Sequence, residues 1–149
     1  MEILRVEQNK KQYLDLLLLA DEQESMIDRY LERGDMYAGV EDGCAVAVCV
    51  VTDECGGVLE IKNLAVVPPM QGRGYGRVMI GHVAKVYGTR FKTLRVGTGE
   101  SLLTLPFYEK CGFRIVGRVK NFFTENYDHP IVEGGVLLRD MVILERGIA

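Results

Sequence analysis

Apolar residues recur at helical spacing in two stretches near the N-terminus. Tyr13, Leu14, Leu17 and Leu18 share one face of a helix over 10–20, and Met26, Ile27, Tyr30 and Leu31 share one over 22–33. Gly34 suits the end of the second helix. Ile3–Val6, ahead of both, is a short strand candidate. The period then changes. Met36–Glu41 and Cys44–Thr52 are rich in small and β-branched residues, and Asp42-Gly43 between them signals a hairpin turn. A turn over Asp53 to Gly57 leads into a strand over Val58–Val67, which Pro68-Pro69 ends. Helical period returns at Gly76, Met79, Ile80, Val83 and Tyr87. A strand over Thr93–Val96 follows, then a short helix over Leu105–Cys111 closed by Gly112. Pro106 belongs in that helix's first turn, with Thr104 as N-cap. Phe113–Val119 and Val136–Leu144 read as two last strands, joined by a long polar and aromatic connection over 120–135. The order β-α-α-β-β-β-α-β-α-β-β predicts a mixed α/β (α+β) fold with about seven strands and four helices. No repeat, low-complexity stretch or Pro/Ser linker divides residues 1–149, so one domain is expected.

Composition narrows the class. A chain of 149 residues buries roughly 70% of its unfolded surface on folding, so no disulfide or metal staple is needed. The longest apolar run, Cys44 to Val51, is far short of the ~20 residues of a membrane span. No basic-then-apolar leader opens the chain, and a cytoplasmic location is expected. Cys44, Cys49, Cys55 and Cys111 form no C-x-x-C pair and only His82 and His129 accompany them, so no metal site is expected and the cysteines read as buried, reduced thiols. A net charge of −3 argues against nonspecific nucleic-acid binding. That charge is unevenly placed. Residues 1–60 hold 14 acids and 5 bases, whereas residues 61–149 hold 7 acids and 13 bases. Scatter over a solvated surface is one account; the other is a cationic ligand on the earlier half and an anionic one on the later.

The segment from Leu64 to Gly76, Leu-Ala-Val-Val-Pro-Pro-Met-Gln-Gly-Arg-Gly-Tyr-Gly, runs from a strand through a glycine-rich turn into a helix. A helix N-terminus offers free N–H groups and about half a positive charge. Glycines let an anion approach that backbone, so the segment is suited to phosphate. Arg73 and Arg77 add mobile charge. No Gly-Lys pair makes it a P-loop. Gly72, Gly74 and Gly76 miss the dinucleotide spacing, and Arg95 and Val96 stand where its acid is expected. The pattern that fits is [QR]-x-x-G-x-[GA], met by Gln71, Gly74 and Gly76. Together with Phe107-Tyr108-Glu-Lys-Cys-Gly112-Phe113 and the element order, it resembles the GNAT superfamily of acyl-CoA-dependent N-acyltransferases. The resemblance spans nearly the whole chain and is strongest over 57–114.

What the resemblance implies is specific. Acetyl-CoA is the co-substrate. Its pantetheine arm lies where the fourth strand splays from the fifth, at a bulge near Leu64, Ala65 and Val66, bonded to backbone groups of Leu64 and Val66. Its pyrophosphate sits on the N–H groups of Gln71, Gly72, Arg73, Gly74, Tyr75 and Gly76, with Arg77 nearby. Strict alternation would put Glu60, Lys62, Leu64 and Val66 on one face; a bulge re-aims that register.

Acetyl transfer to nitrogen needs a neutral amine, yet with a pKa of ~10.4 only about one lysine-like amine in 10³ is neutral at pH 7. Glu60, 11 residues before Gln71, matches the place of the catalytic glutamate in histone-type members and is the candidate general base. Its bland alternative is an ion-pair partner of Lys62. Tyr108 is the candidate general acid, protonating the leaving thiolate; a core aromatic is the alternative. Ser101 stands where the family often has an asparagine that contacts pantetheine. His82 and Cys111 read as packing residues. The resemblance puts the acceptor pocket at roughly 20–35 and 120–135. The first stretch carries Asp21, Glu22, Glu24, Asp28 and Glu32; the second carries Phe122, Phe123, Glu125, Tyr127, Asp128 and His129. Acids with aromatic walls suit a small cationic amine as the partner molecule. Two other readings compete: a peptide or protein N-acetyltransferase, and a non-catalytic acetyl-CoA-binding module. A nucleotide-binding domain lacks its motifs. Neither membrane nor nucleic acid is an expected partner, and a homodimer is compatible with the pattern.

Overall fold

The computed structural model describes residues 1–148. Seven strands form one sheet: β1 (Glu2–Val6), β2 (Asp35–Glu41), β3 (Cys44–Asp53), β4 (Val58–Val66), β5 (Thr93–Gly99), β6 (Arg114–Val119) and a last strand, β9 (Met141–Gly147). Their order is β1-β2-β3-β4-β5-β9-β6. Only β4 and β5 run parallel; the other pairs are antiparallel. The connection between that parallel pair carries α3 (Tyr75–Tyr87), as parallel strands require a crossover. Helices α1 (Leu14–Ala20) and α2 (Glu24–Ile27) precede the hairpins, and α4 (Leu105–Lys110) lies between β5 and β6. The mixed sheet and its helices match the expected fold.

Each sheet face carries its own core. Met79, Ile80, Val83 and Tyr87 of α3 pack with Tyr108 on Tyr37, Cys49, Val51, Leu59 and Ile61. Leu17, Ile27, Tyr30 and Leu31 cover Met36, Ala38, Val48, Val50 and Ala65 on the opposite face. Fully burying one such side chain stabilises the fold by about 1.5–3 kcal/mol.

The 10–20 helix is α-helical only over Leu14–Ala20, the Thr93 strand runs on to Gly99, and three further stretches differ from the sequence reading. The stretch 22–33 keeps α-helix only over Glu24–Ile27; its remainder is tightened by bonds such as Tyr30 N–H to Ile27 O (3.1 Å). Gly34 ends it for want of space rather than for a left-handed turn: a Cβ there would stand 2.8 Å from a Val50 methyl carbon. The 120–135 connection is not bare. It forms α5 (Phe122–Asn126), entered through left-handed Asn121, and a ribbon of β7 (Val132–Glu133) and β8 (Val136–Leu137) turned at Gly134 and Gly135. The run Val136–Leu144 is therefore two strands, broken where the Asp140 carboxylate accepts the Asn121 N–H (2.9 Å). All four cysteines are free, but Cys44 and Cys55 are exposed, so only two of the expected buried thiols are buried. No helix among the described residues is long and apolar enough to cross a membrane.

Candidate active site

The sheet opens between β4 and β5. Their pairing ends at Ile61↔Val96, although β4 continues to Val66 and β5 to Gly99. A bulge accompanies the opening. On β3, Val50 pairs with Asn63 and Val51 with Ile61, which leaves Lys62 as the extra residue. The bulge thus lies at Lys62, ahead of the expected Leu64–Val66. It reverses the side-chain alternation: Leu59 and Ile61 face α3, and so do Leu64 and Val66 beyond the bulge. The Val67 N–H bonds the Val46 carbonyl of β3 (2.9 Å). By alternation, Ala65 also turns its backbone to β3, and Leu64 and Val66 turn theirs to the gap. Ala65, with its side chain in the core under α1, is a spacer rather than a wall of the gap.

The gap leads to the glycine turn. The Gln71 side chain donates to the Val66 carbonyl (2.9 Å), tying the turn to the strand end. Gly72 (φ 78°) and left-handed Gly74 (φ 87°) have open space where a Cβ would stand. Gly74 caps α3, and the first intrahelical bond runs from Val78 N–H to Gly74 O (3.0 Å), so the N–H groups of Tyr75, Gly76 and Arg77 lack helical partners. Gly76 answers a different need: a Cβ there would meet the Phe107 ring at 3.0 Å. Arg73 and Arg77 are exposed beside the turn. The Tyr75 side chain lies by Glu41, so Tyr75 contributes its backbone here. The result is an anion cradle in line with an open strand gap.

Tyr108 sits on α4, almost wholly buried, with Phe107 and Phe113 edge-on to its ring (centroids 5.0 and 5.5 Å). Burial pushes its hydroxyl pKa upward, and the charge of Glu133 adds to the effect, so it stays protonated. Its hydroxyl forms no hydrogen bond among the described residues. Thr104 is the N-cap position of α4, as expected, but its hydroxyl pairs with Thr98 (3.0 Å) instead of capping. The Ser101 side chain is buried and accepts the Leu103 N–H (2.9 Å), which turns it into its own loop. Burial drives the Cys49 thiol up to about 12 and raises Cys111, so neither is a thiolate nucleophile. His82 rests edge-on against Tyr37 (5.0 Å), as a packing residue does.

Glu60 lies in the closed part of β4, opposite Arg95. Lys62 Nζ stands 2.6 Å from one carboxylate oxygen, and Arg95 stands 4.0 Å from the other. Arg95 in turn bonds Glu145 (2.8 Å). Leu59 and Ile61 face α3 and Tyr108, so Glu60 points to the other side of the sheet. Glu60 and Tyr108 therefore lie on opposite faces of the sheet.

The two acceptor segments do meet. Asp21 accepts from Tyr127 (2.6 Å) and Tyr30 (3.0 Å), one hydroxyl to each oxygen. Asp128 N–H donates to Gln23 (2.9 Å), and Arg29 donates to Asn126 (3.1 Å). His129 stands between Asp128 (2.6 Å) and Glu22 (2.9 Å), which raise its pKa in that order of effect. Phe123 stacks on Tyr127 (5.7 Å, 24°). Behind them lies a cavity of about 290 Å³ walled by Phe123, Tyr127, Pro130, Ile131 and Leu138.

Two residues escaped the sequence reading. Asn63, 2% exposed, donates through Nδ2 to Leu17 O (2.9 Å) and Tyr30 Oη (3.1 Å). Its signal was a polar residue inside an apolar strand. Glu133, half-buried on β7, is in no ion pair among the described residues and lies in range of Tyr108 and Glu22; burial, then the Glu22 charge, raises its pKa. Nothing local marked it, because only the path of the 120–137 segment brings it there.

Known proteins share this architecture. The Acetyltransferase (GNAT) domain family model matches residues 32–115. The Bacillus subtilis protein named "Uncharacterized N-acetyltransferase YvbK" is 36% identical over 149 residues, covering 97% of this chain and 96% of that one. A GNAT family acetyltransferase from Elizabethkingia anophelis, solved with acetyl-CoA bound, superposes with a TM-score of 0.92 at 34% identity, over 98% of this chain and 97% of that one. The IAA acetyltransferase from Bacillus cereus superposes at 0.91 and 34%, over 98% of each chain.

Proposed function

The chain belongs to the GNAT acetyltransferase family, and from that membership we propose that it transfers the acetyl group of acetyl-CoA to a primary amine of a small cationic molecule, by direct attack in a ternary complex. The observation that carries the reading is the β4–β5 gap, which runs from the Leu64 and Val66 backbone to the glycine cradle. Pantetheine bonds those backbone groups as an extra strand, and the pyrophosphate takes the N–H groups from Gln71 to Gly76, with Arg73 and Arg77 beside it. Ser101, whose oxygen already accepts the Leu103 N–H, is retained as a contact through the remaining capacity of its hydroxyl. The thioester then lies at the opening of the sheet, within reach of Tyr108.

The amine nitrogen attacks the thioester carbonyl, the C–S bond breaks, and CoA leaves as a thiolate that Tyr108 protonates. The attacking nitrogen gives up a proton to a carboxylate. Glu60 is that base, acting through water past its ion pair with Lys62. Glu133 is a second reading, favoured by its partial burial, its freedom from an ion pair among the described residues and the effect of its charge on Tyr108. Holding donor and acceptor together supplies much of the remaining rate.

Glu60→Gln and Glu133→Gln test the base. A base works ionised, so activity falls as pH drops through its pKa. Replacing the true base lowers kcat/KM by about 10²–10⁴ and removes the acidic limb of the pH profile. If Glu133 is the base, that limb lies above the ordinary carboxylate range. Profiles unchanged in both variants would assign deprotonation to solvent.

A further inference from the structure

We propose that Phe107 is a positioning residue for the transfer step: it braces Tyr108 against the first turn of α3, so that the general acid is placed from the same turn that holds the pyrophosphate. This rests on the reading of Tyr108 as general acid and adds how that acid is aimed.

Gly76 stands in the first turn of α3 with no positive φ to account for it, and glycine is the poorest helix former after proline. The ring opposite accounts for it. A Cβ at Gly76 would stand 3.0 Å from Phe107 Cζ, 3.3 Å from Cε1 and 3.9 Å from Cε2, so the ring meets the helix tip first. The same ring meets the Tyr108 ring edge-on, with centroids 5.0 Å apart at 72°. Phe107 is thus a strut, with its tip on the cradle and its flank on the acid. Tyr108 needs one. Its hydroxyl has no hydrogen-bond partner among the described residues, so packing of the ring aims it. Helix α4 spans only Leu105–Lys110, and so short a helix is held by its packing rather than by its own hydrogen bonds. Its two ends are tied to β5 and β9: Thr104 Oγ1 pairs with Thr98 Oγ1 (3.0 Å), and Arg146 donates to the Cys111 carbonyl (3.0 Å). Neither tie reaches α3, whereas Phe107 does.

The chemistry makes α3 the element that matters. The sulfur that Tyr108 protonates hangs from the pyrophosphate by the pantetheine arm, so its place is set from the cradle. A proton donor must stand within hydrogen-bond reach of the atom it serves, and a misplacement of 1 Å costs about 10²-fold in rate. Bracing the acid on the cradle itself keeps donor and sulfur in one frame.

A double-mutant cycle on kcat tests the brace, using the full-length protein, acetyl-CoA and 1,4-diaminobutane as the amine probe, and following thiol release. Phe107→Leu keeps an apolar side chain but not the ring, and should lower kcat by about tenfold, as for a shift of half an ångström in the acid. In a Tyr108→Phe background the ring remains but there is no proton to aim, so Phe107→Leu should then change kcat by less than about twofold. Gly76→Ala approaches the same contact from α3 with the helix preserved, and covers the case in which Phe107→Leu fails to fold. Its Cβ moves Phe107 by a few tenths of an ångström, and it should lower kcat by about threefold, again only where the Tyr108 hydroxyl is present. Losses of the same factor in both backgrounds mark a structural defect and overturn the proposal, as does an unchanged kcat in both variants. If Tyr108→Phe alone leaves kcat unchanged, the general-acid reading falls and this proposal with it. Absence of turnover by the wild type, alongside tight acetyl-CoA binding, would overturn the amine-acetylating reading on which both rest.

Discussion

At the scale of single residues, chemistry follows from what each side chain is denied. Tyr108 is largely buried and its hydroxyl has no hydrogen-bond partner among the described residues, so it keeps its proton, as the proposed general acid must. Tyr108→Phe should lower kcat by about 10- to 100-fold, below the full range of general acid catalysis because CoA is already a fair leaving group. Acetyl-CoA affinity should stay within about twofold, as binding isotherms would check; unchanged kcat would make Tyr108 a packing residue. The aromatic-Glu-Lys-Cys-Gly-Phe run made Tyr108 legible in the sequence. Glu60 was legible as a position but not as an environment: its pairing with Lys62, two residues on, was foreseen, whereas Arg95 reaches it only through the parallel strand. Ser101 could be named but not its engagement with the Leu103 N–H, since a loop's internal bonds depend on its path.

At the scale of elements, the strand–turn–helix unit is where local sequence speaks most directly. Gly74 has a φ of 87° and no protein atom in the space of a Cβ, so the protein's own need for glycine there comes from backbone conformation. Gly74→Ala should cost about 1–2 kcal/mol of stability through the left-handed penalty. It should also weaken acetyl-CoA binding by tenfold or more, which calorimetry on the folded variant would separate from the stability loss. Normal affinity would remove the turn from the cofactor site. The periodic α3 was legible to within a residue, because five apolar positions repeat at 3.6. The second N-terminal helix and the 120–137 segment were not. In the former, the same apolar spacing is satisfied by one helical turn and a tight loop, since packing over Val48 and Val50 asks only for buried side chains. In the latter, helix and ribbon are too short for a period to register, and Asn121, Gly134 and Gly135 act through backbone angles rather than hydrophobicity.

At the scale of the whole molecule, the sheet joins the two proposed ligand sites, which differ in charge. The expected anion site falls in the base-rich half, at the turn before α3, and the carboxylates gather where α1 and α2 meet the 120–137 segment. Acetyl-CoA or CoA at 100 times its Kd should add about 2.7 kcal/mol and raise Tm by roughly 5–10 °C for a chain of this size. ATP and NAD should give no comparable shift, because neither offers a pantetheine arm to the strand gap. Equal shifts from all four would reduce the cradle to a general phosphate site. Most of the element order, the glycine turn and the tyrosine of α4 were written locally, in period, turn chemistry and short-range spacing, whereas the register break in β4 was expected from the family resemblance and falls earlier, at Lys62. Proximity was not written locally. Asp21 and Tyr127 meet across 106 residues of chain. Hydrophobic burial sets which faces turn inward, but it is non-directional. Which carboxylate meets which hydroxyl is fixed only when the packed sheet leaves each buried polar group a single reachable partner.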